Sequence, residues 1–133
     1  MDIISLTLLF LILFLISIGL IEIYFHKKAL KNLPIRIHVN GTRGKSSVTR
    51  LIAAGLRESG LNTYAKTTGT TPRIINNKGK DIEIHRLRSA SIGEQIKLMR
   101  YFSKRRPDAI VVECMAVNPQ YQWVSEQRII KST

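Results

Sequence analysis

Between Ile3 and Ile21 the chain carries no charged side chain, and only Ser5, Thr7, Ser17 and Gly19 interrupt a run of Leu, Ile and Phe. At 1.5 Å per residue a helix of about 19 residues covers roughly 28 Å, close to the hydrocarbon thickness of a bilayer. A secretory signal would begin with basic residues and end at a small-residue cleavage site. Here Met1 and Asp2 precede the run, no small-x-small pattern follows it, and Glu22 and His26-Lys27-Lys28 mark an interface. The segment reads as a permanent single-pass anchor, with residues 1–25 in the span and 26–34 forming a basic juxtamembrane linker.

The 133-residue chain has a net charge of +12, and all 21 Lys and Arg residues follow residue 26. Cations packed against one end of a span hold that end in the cytoplasm, so the N-terminus is expected outside and the bulk inside. The lone Cys114 suits a reducing compartment and excludes an intramolecular disulfide. The cations are scattered, without an aromatic-rich strand motif, and no nucleic-acid partner is expected. Lys27, Lys28 and Lys31 are instead expected near anionic lipid.

The remainder, 35–133, alternates strand and helix signals. "LPIRIHV" (33–39) is β-branched and alternating, and reads as a strand. In 45–59, Val48, Leu51, Ile52, Gly55 and Leu56 fall on one helical face, with Gly60 as a stop. "LNTYA" (61–65) reads as a strand, "KTTGTTPR" (66–73) as a loop, and 77–79 as a turn before a short strand over 82–87 in a surface hairpin. Ser91 and Glu94 have capping-box spacing, ahead of a stripe of Ile92, Ile96, Met99 and Phe102 that ends at Arg105-Arg106-Pro107. "DAIVVE" (108–113) is a continuous apolar run, as in a strand buried on both faces of a parallel sheet. The pattern is the start of an α/β doubly wound domain with three core strands. The chain reaches "RIIKST" where a further strand is due, so it reads as the front part of something larger. His26, His38 and His85 have no metal-ligand spacing and, like Cys114, receive no role. Tyr121 and Trp123 are left open between packing and substrate contact.

"NGTRGKSS" lies between the first strand and the first soluble helix. The strict phosphate-loop pattern needs a glycine five residues before Gly44, where Val39 stands, so it fails. The context still suits phosphate. Gly41 and Gly44 permit a tight turn that aims N–H groups at anionic oxygens, and the helix start adds its own amides. Thr42, Arg43 and Ser47 complete this loop. Lys45 would reach the β- and γ-phosphates and Ser46 would face Mg²⁺. Glu113, at the carboxyl end of the buried strand, is the expected metal carboxylate. Thr67, Thr68, Thr70 and Thr71 offer further hydroxyls.

"NGTRGKSSVTR", "KTTGTTPR", "IGEQ" and "VVECMAVNPQYQ", in this order, resemble the membrane-anchored poly-γ-glutamate synthase subunits of PgsB/CapB type, relatives of the Mur ligases and folylpolyglutamate synthase. The resemblance covers nearly all of 33–130, and "ECMAVNP" is its most specific part. It implies an incomplete P-loop sheet like the Mur ligase central domain. It also implies an ATP- and Mg²⁺-dependent ligase that activates the terminal carboxylate of a γ-glutamyl chain as an acyl phosphate, which the amine of glutamate then attacks. By match, Gly41, Thr42, Gly44 and Lys45 would hold phosphates, with Ser46 on Mg²⁺. Thr68, Gly69 and Thr70 would form a second loop near the metal and γ-phosphate, and Glu113 would bind the metal. Lys45 and Glu113 would then be the catalytic residues, and other membrane subunits of a synthase and export complex the partners. The family continues well beyond these motifs, so this chain alone is expected to be inactive or to need a complementing polypeptide. Two rivals share the anchor. A membrane-anchored P-loop kinase or ATPase should end its buried strand in Asp rather than Glu113. A non-enzymatic capsule scaffold should be indifferent to Lys45→Ala.

Overall fold

The computed structural model describes residues 2–69, 71–85 and 91–133. Helix α1 (Ile3–Lys31) is followed by β1 (Ile35–Val39), α2 (Lys45–Glu58), β2 (Thr63–Thr67), β3 (Arg73–Ile75) and β4 (Asp81–Glu83). Then come α3 (Ile92–Arg105), β5 (Ala109–Glu113), the short α4 (Pro119–Val124) and a π-helical turn, Ser125–Ile130. The five strands form one sheet in the order β1-β5-β2-β3-β4. β5 pairs in parallel with β1 and β2, whereas β3 runs antiparallel to both β2 and β4.

The sheet is therefore mixed, a correction to the parallel sheet read from the sequence. Only its three inner-core strands are parallel. The hairpin expected before α3 is present, but its first strand, β3, begins at Arg73, the last residue of the segment read as loop, and continues through Ile74 and Ile75, which received no element from the sequence. β2 also runs two residues further than expected, through Lys66 and Thr67, both buried. Lys66 is 0 % exposed, with its ammonium 3.7 Å from Glu94 of α3, and that pairing lets a charged residue lie inside a strand. The strand expected over 82–87 is found as Asp81–Glu83, and Arg86 and Leu87 lie outside the described residues.

β5 is the centre of the fold. Ala109 through Val112 are at most 1 % exposed, because helices cover both faces of the sheet. On one face Ile110 and Val112 pack with Leu98, Met99 and Phe102 of α3, with Leu30 and Leu33 from the end of α1, and with Ile129 and Ile130. On the other, Val111 packs with Val39, Ala53 of α2, Ala65 and Ile75. Each large apolar side chain buried this way contributes about 1.5–3 kcal/mol. α2 uses part of the expected face, since Ile52 and Leu56 pack against this second cluster, but the residues it buries fully are others. Thr49 and Ala53 are fully buried while Val48 and Leu51 are 44 % and 71 % exposed. The small side chains at 49 and 53 let the helix approach the sheet closely, which turns Val48 and Leu51 outward.

α3 begins as the sequence implies. Ser91 Oγ accepts from the Glu94 N–H at 3.3 Å, and Arg106 ends the helix in the left-handed region at φ 44°. The stretch 26–34, read as a linker, is instead the helical end of α1 through Lys31, with His26, Ala29, Leu30 and Leu33 buried in the domain. Arg36 fastens this end. Its guanidinium donates to the carbonyls of Leu30 and Leu33 at the close of α1, and to those of Ile130 and Lys131 after the π-helical turn. One cation thus satisfies the free carbonyls of two helix ends. From Ile3 to Phe25 the apolar residues of α1 are exposed, so one N-terminal helix is long and apolar enough to cross a membrane.

A further strand was due at "RIIKST", 128–133. Instead Ile129 and Ile130 enter the core from the π-helical turn, and Thr133 N–H donates to the Arg36 carbonyl at the open edge of β1. Glu126 anchors this segment. Its carboxylate lies 2.8 Å from His38 Nδ1 of β1 and accepts from the Ser132 N–H and hydroxyl. Burial pushes the Glu126 carboxyl up, but the hydrogen bonds from Ser132 and His38 outweigh it and hold it below its ordinary value of 4.5. The folded chain therefore binds fewer protons here than the unfolded chain. This contribution is present above that ordinary value and is lost as pH falls through the folded one. Glu126→Gln should cost about 1 kcal/mol at pH 7. Urea unfolding of the detergent-solubilised chain from pH 7 down to 3.5 should show a shallower acid decline in the variant than in the wild type.

Candidate active site

The carboxyl ends of the three parallel strands meet at one edge of the sheet. Val39 is in register with Glu113, and Lys66 with Val112, so the loops leaving β1, β5 and β2 emerge side by side. That edge is where open α/β sheets gather ligands.

The loop after β1 is a tight turn into α2. Asn40 Oδ1 accepts the Gly41 N–H at 2.8 Å, and Gly44 opens the helix with φ 74°, a left-handed conformation that disfavours any side chain. Gly44 has no side chain with which to cap α2, and the first amides of a helix have no partner within the helix itself. Lys45 is half-buried, and its aliphatic stem lies over Gly41, where an added Cβ would stand 3.8 Å from Lys45 Cγ. Thr42, Arg43 and Ser47 are exposed on the same turn.

Val111 faces α2, and the alternation of β5 sends Glu113 toward the same side, at the start of that helix. Glu113 is 4 % exposed. Its Oε2 accepts the Ser46 hydroxyl at 2.7 Å and the Thr68 N–H at 2.8 Å. A Cβ on Gly69 would stand 3.6 Å from Ser46 Oγ, so the second loop closes over the hydroxyl. One carboxylate thus ties three loops together. Of the sequence-derived residues, Gly41, Gly44, Lys45, Ser46, Thr68, Gly69 and Glu113 come together at this edge. Thr68 reaches Glu113 through its backbone rather than its hydroxyl, and Thr70 lies outside the described residues.

The sequence reading passed over two residues. Asn40 Nδ2 donates to Gln122 Oε1 at 2.9 Å, and Gln122 Nε2 donates to the carbonyls of Ala116 and Val117 at 3.1 and 3.2 Å. These bonds hold the segment after β5 against the glycine loop. Asn before Gly is a local turn signal. Gln122 has none, being brought in by α4, which Asn118 caps through the Gln120 N–H. Tyr121 and Trp123 are 57 % and 61 % exposed on that helix.

Among the described residues no group of three or more His, Cys, Asp or Glu side chains could hold a metal. The donor set at Glu113 is one carboxylate and one hydroxyl. That fits Mg²⁺, which takes one or two carboxylates and completes its shell with water and phosphate oxygens, and does not fit a dedicated all-protein cage.

No protein-family model matches the chain. Two curated proteins do. PGA synthase CapB of Bacillus subtilis (strain 168) is 41% identical over 121 residues, which is 89% of this chain and 30% of that protein. The capsule biosynthesis protein CapB of Bacillus anthracis is 38% identical over 122 residues, 90% of this chain and 26% of that protein. Both relatives are CapB proteins. The chain spans less than a third of the length of either one. No solved structure matches it.

Proposed function

We propose that this chain supplies the phosphate-binding part of an ATP-dependent ligase that extends poly-γ-glutamate, anchored by α1 with its α/β domain on the cytoplasmic side. The observation that carries this reading is the Glu113 clamp, which joins a glycine loop, a helix N-terminus and a threonine loop at the carboxyl edge of the sheet. The similarity to proteins named PGA synthase CapB and capsule biosynthesis protein CapB supports the polymer. The Mur ligase likeness rests on the sequence resemblance alone.

In this reading the loop amides at Gly41–Gly44 and the Lys45 ammonium hold the phosphates of ATP. Ser46 and Glu113 hold Mg²⁺, which neutralises phosphate charge. The γ-phosphoryl passes to the terminal carboxylate of the polymer. The amine of glutamate then attacks the resulting acyl phosphate, and phosphate leaves as the amide forms. Such chemistry depends on positioning and charge neutralisation, which fixed backbone amides and one lysine can provide. Glutamate, the growing polymer and the other membrane subunits of a synthase are the partners. The remaining machinery comes from further polypeptide.

The test uses membranes of cells that make poly-γ-glutamate with this chain in place of the matching part of their synthase. Given ATP, glutamate and hydroxylamine, they should form a γ-glutamyl hydroxamate, the trapped acyl phosphate. Lys45→Ala should reduce it at least about 100-fold, the scale of a lost phosphoryl-stabilising contact. Polymer formation untouched by Lys45→Ala would leave this polypeptide a scaffold.

A further inference from the structure

α1 is 29 residues long, about 43 Å, so a hydrocarbon core of about 30 Å leaves its last turns in the headgroup layer and beyond. α3 packs beside those turns. Arg100 bridges them, with its guanidinium 3.5 Å from the Glu22 carbonyl and 3.8 Å from the Glu22 carboxylate. Lower down, Asn32 Nδ2 donates to Ser103 Oγ at 3.1 Å. Between these two ties lies an open groove of about 460 Å³, with Phe25, Lys28, Asn32, Arg100, Ser103 and Lys104 among its lining residues.

We propose that this groove binds the headgroup of an anionic phospholipid. Three observations point to that occupant. Lys28, Arg100 and Lys104 line the groove, whose described lining includes no acid, and Glu22, the ion-pair partner of Arg100, is 57 % exposed. The Arg100 side chain is 37 % exposed and lines the groove, so its guanidinium stays open to a ligand beside its tie to Glu22. Phe25 is 52 % exposed and continues the bare apolar surface of α1. A lipid can therefore lay its acyl chains along the helix while its phosphate meets the cations. A free phosphate would use the cations and leave the apolar wall bare. Basic pockets beside membrane helices select anionic headgroups, at about 1 kcal/mol per cation. A lipid held there would fix the height of the domain above the bilayer, because α3 also packs on the sheet.

Native mass spectrometry of the full detergent-solubilised chain tests this with an equimolar mixture of phosphatidylglycerol and phosphatidylcholine. Phosphatidylglycerol should be retained at least about tenfold over phosphatidylcholine. Arg100→Gln/Lys104→Gln should erase the preference, and Lys28→Gln, an exposed change on α1, should weaken it without a folding cost. The charge-matched Lys78→Gln/Lys80→Gln variant, in the turn between β3 and β4, should leave it intact. Equal retention of the two lipids overturns the proposal. So does an equal loss in the Lys78/Lys80 variant, or full displacement of phosphatidylglycerol by millimolar inorganic phosphate.

Discussion

Glu113→Ala should lower the unfolding free energy of the detergent-solubilised chain by about 2–3 kcal/mol, read from urea denaturation. Glu113 is 4 % exposed and accepts two hydrogen bonds, one from the Ser46 hydroxyl and one from the Thr68 amide. Truncation leaves both donors facing a space that held a charge, and a donor stripped of its partner loses more than the bond was worth. The glycine loop and the second loop then have no common tie. Glu113→Gln separates the structural part from the proposed chemical one. Its amide oxygen can still accept from Thr68, so most of the stability should return, to within about 1 kcal/mol of the wild type. It offers no negative charge to a divalent cation, so any Mg²⁺ dependence of nucleotide binding should be lost in both variants. A glutamine variant that keeps full Mg²⁺ dependence would remove Glu113 from the metal site and leave it a loop clamp.

The legible parts of the fold were those with strong local signals. β5 could be read because Ala109–Val112 form an unbroken apolar run, which only a strand covered on both faces can use. α3 announced its first turn through Ser91 and Glu94. The glycine loop was legible because Gly41 and Gly44 stand between a β-branched run and an amphipathic helix. β3 was hidden, since Arg73–Ile75 is three residues long and follows a Thr-Pro segment, and its pairing with β2 and β4 is a tertiary fact. The outward turn of Val48 and Leu51 was equally hidden, because an apolar stripe does not reveal which small residues will meet the sheet. The same holds for Arg36, whose partners at Leu30, Leu33, Ile130 and Lys131 lie as far as 95 positions away. At the site, the residue types were legible one by one. That a single oxygen of Glu113 would receive both Ser46 and Thr68 was not.

We propose that the loop from Gly41 to Ser47 holds the phosphates of ATP. Thermal unfolding of the detergent-solubilised full chain, with and without Mg²⁺-ATP, tests it most directly when run beside Lys45→Ala. Lys45 is half-buried at the start of α2 and forms no ion pair among the described residues, so its removal should spare the fold. A ligand that binds only the folded state stabilises it by RT ln(1 + [L]/Kd), about 2.7 kcal/mol at 100 times Kd. That stabilisation is expected in the wild type, and its loss in Lys45→Ala. A folded wild-type chain that shows no shift, or a variant that shifts equally, would contradict it.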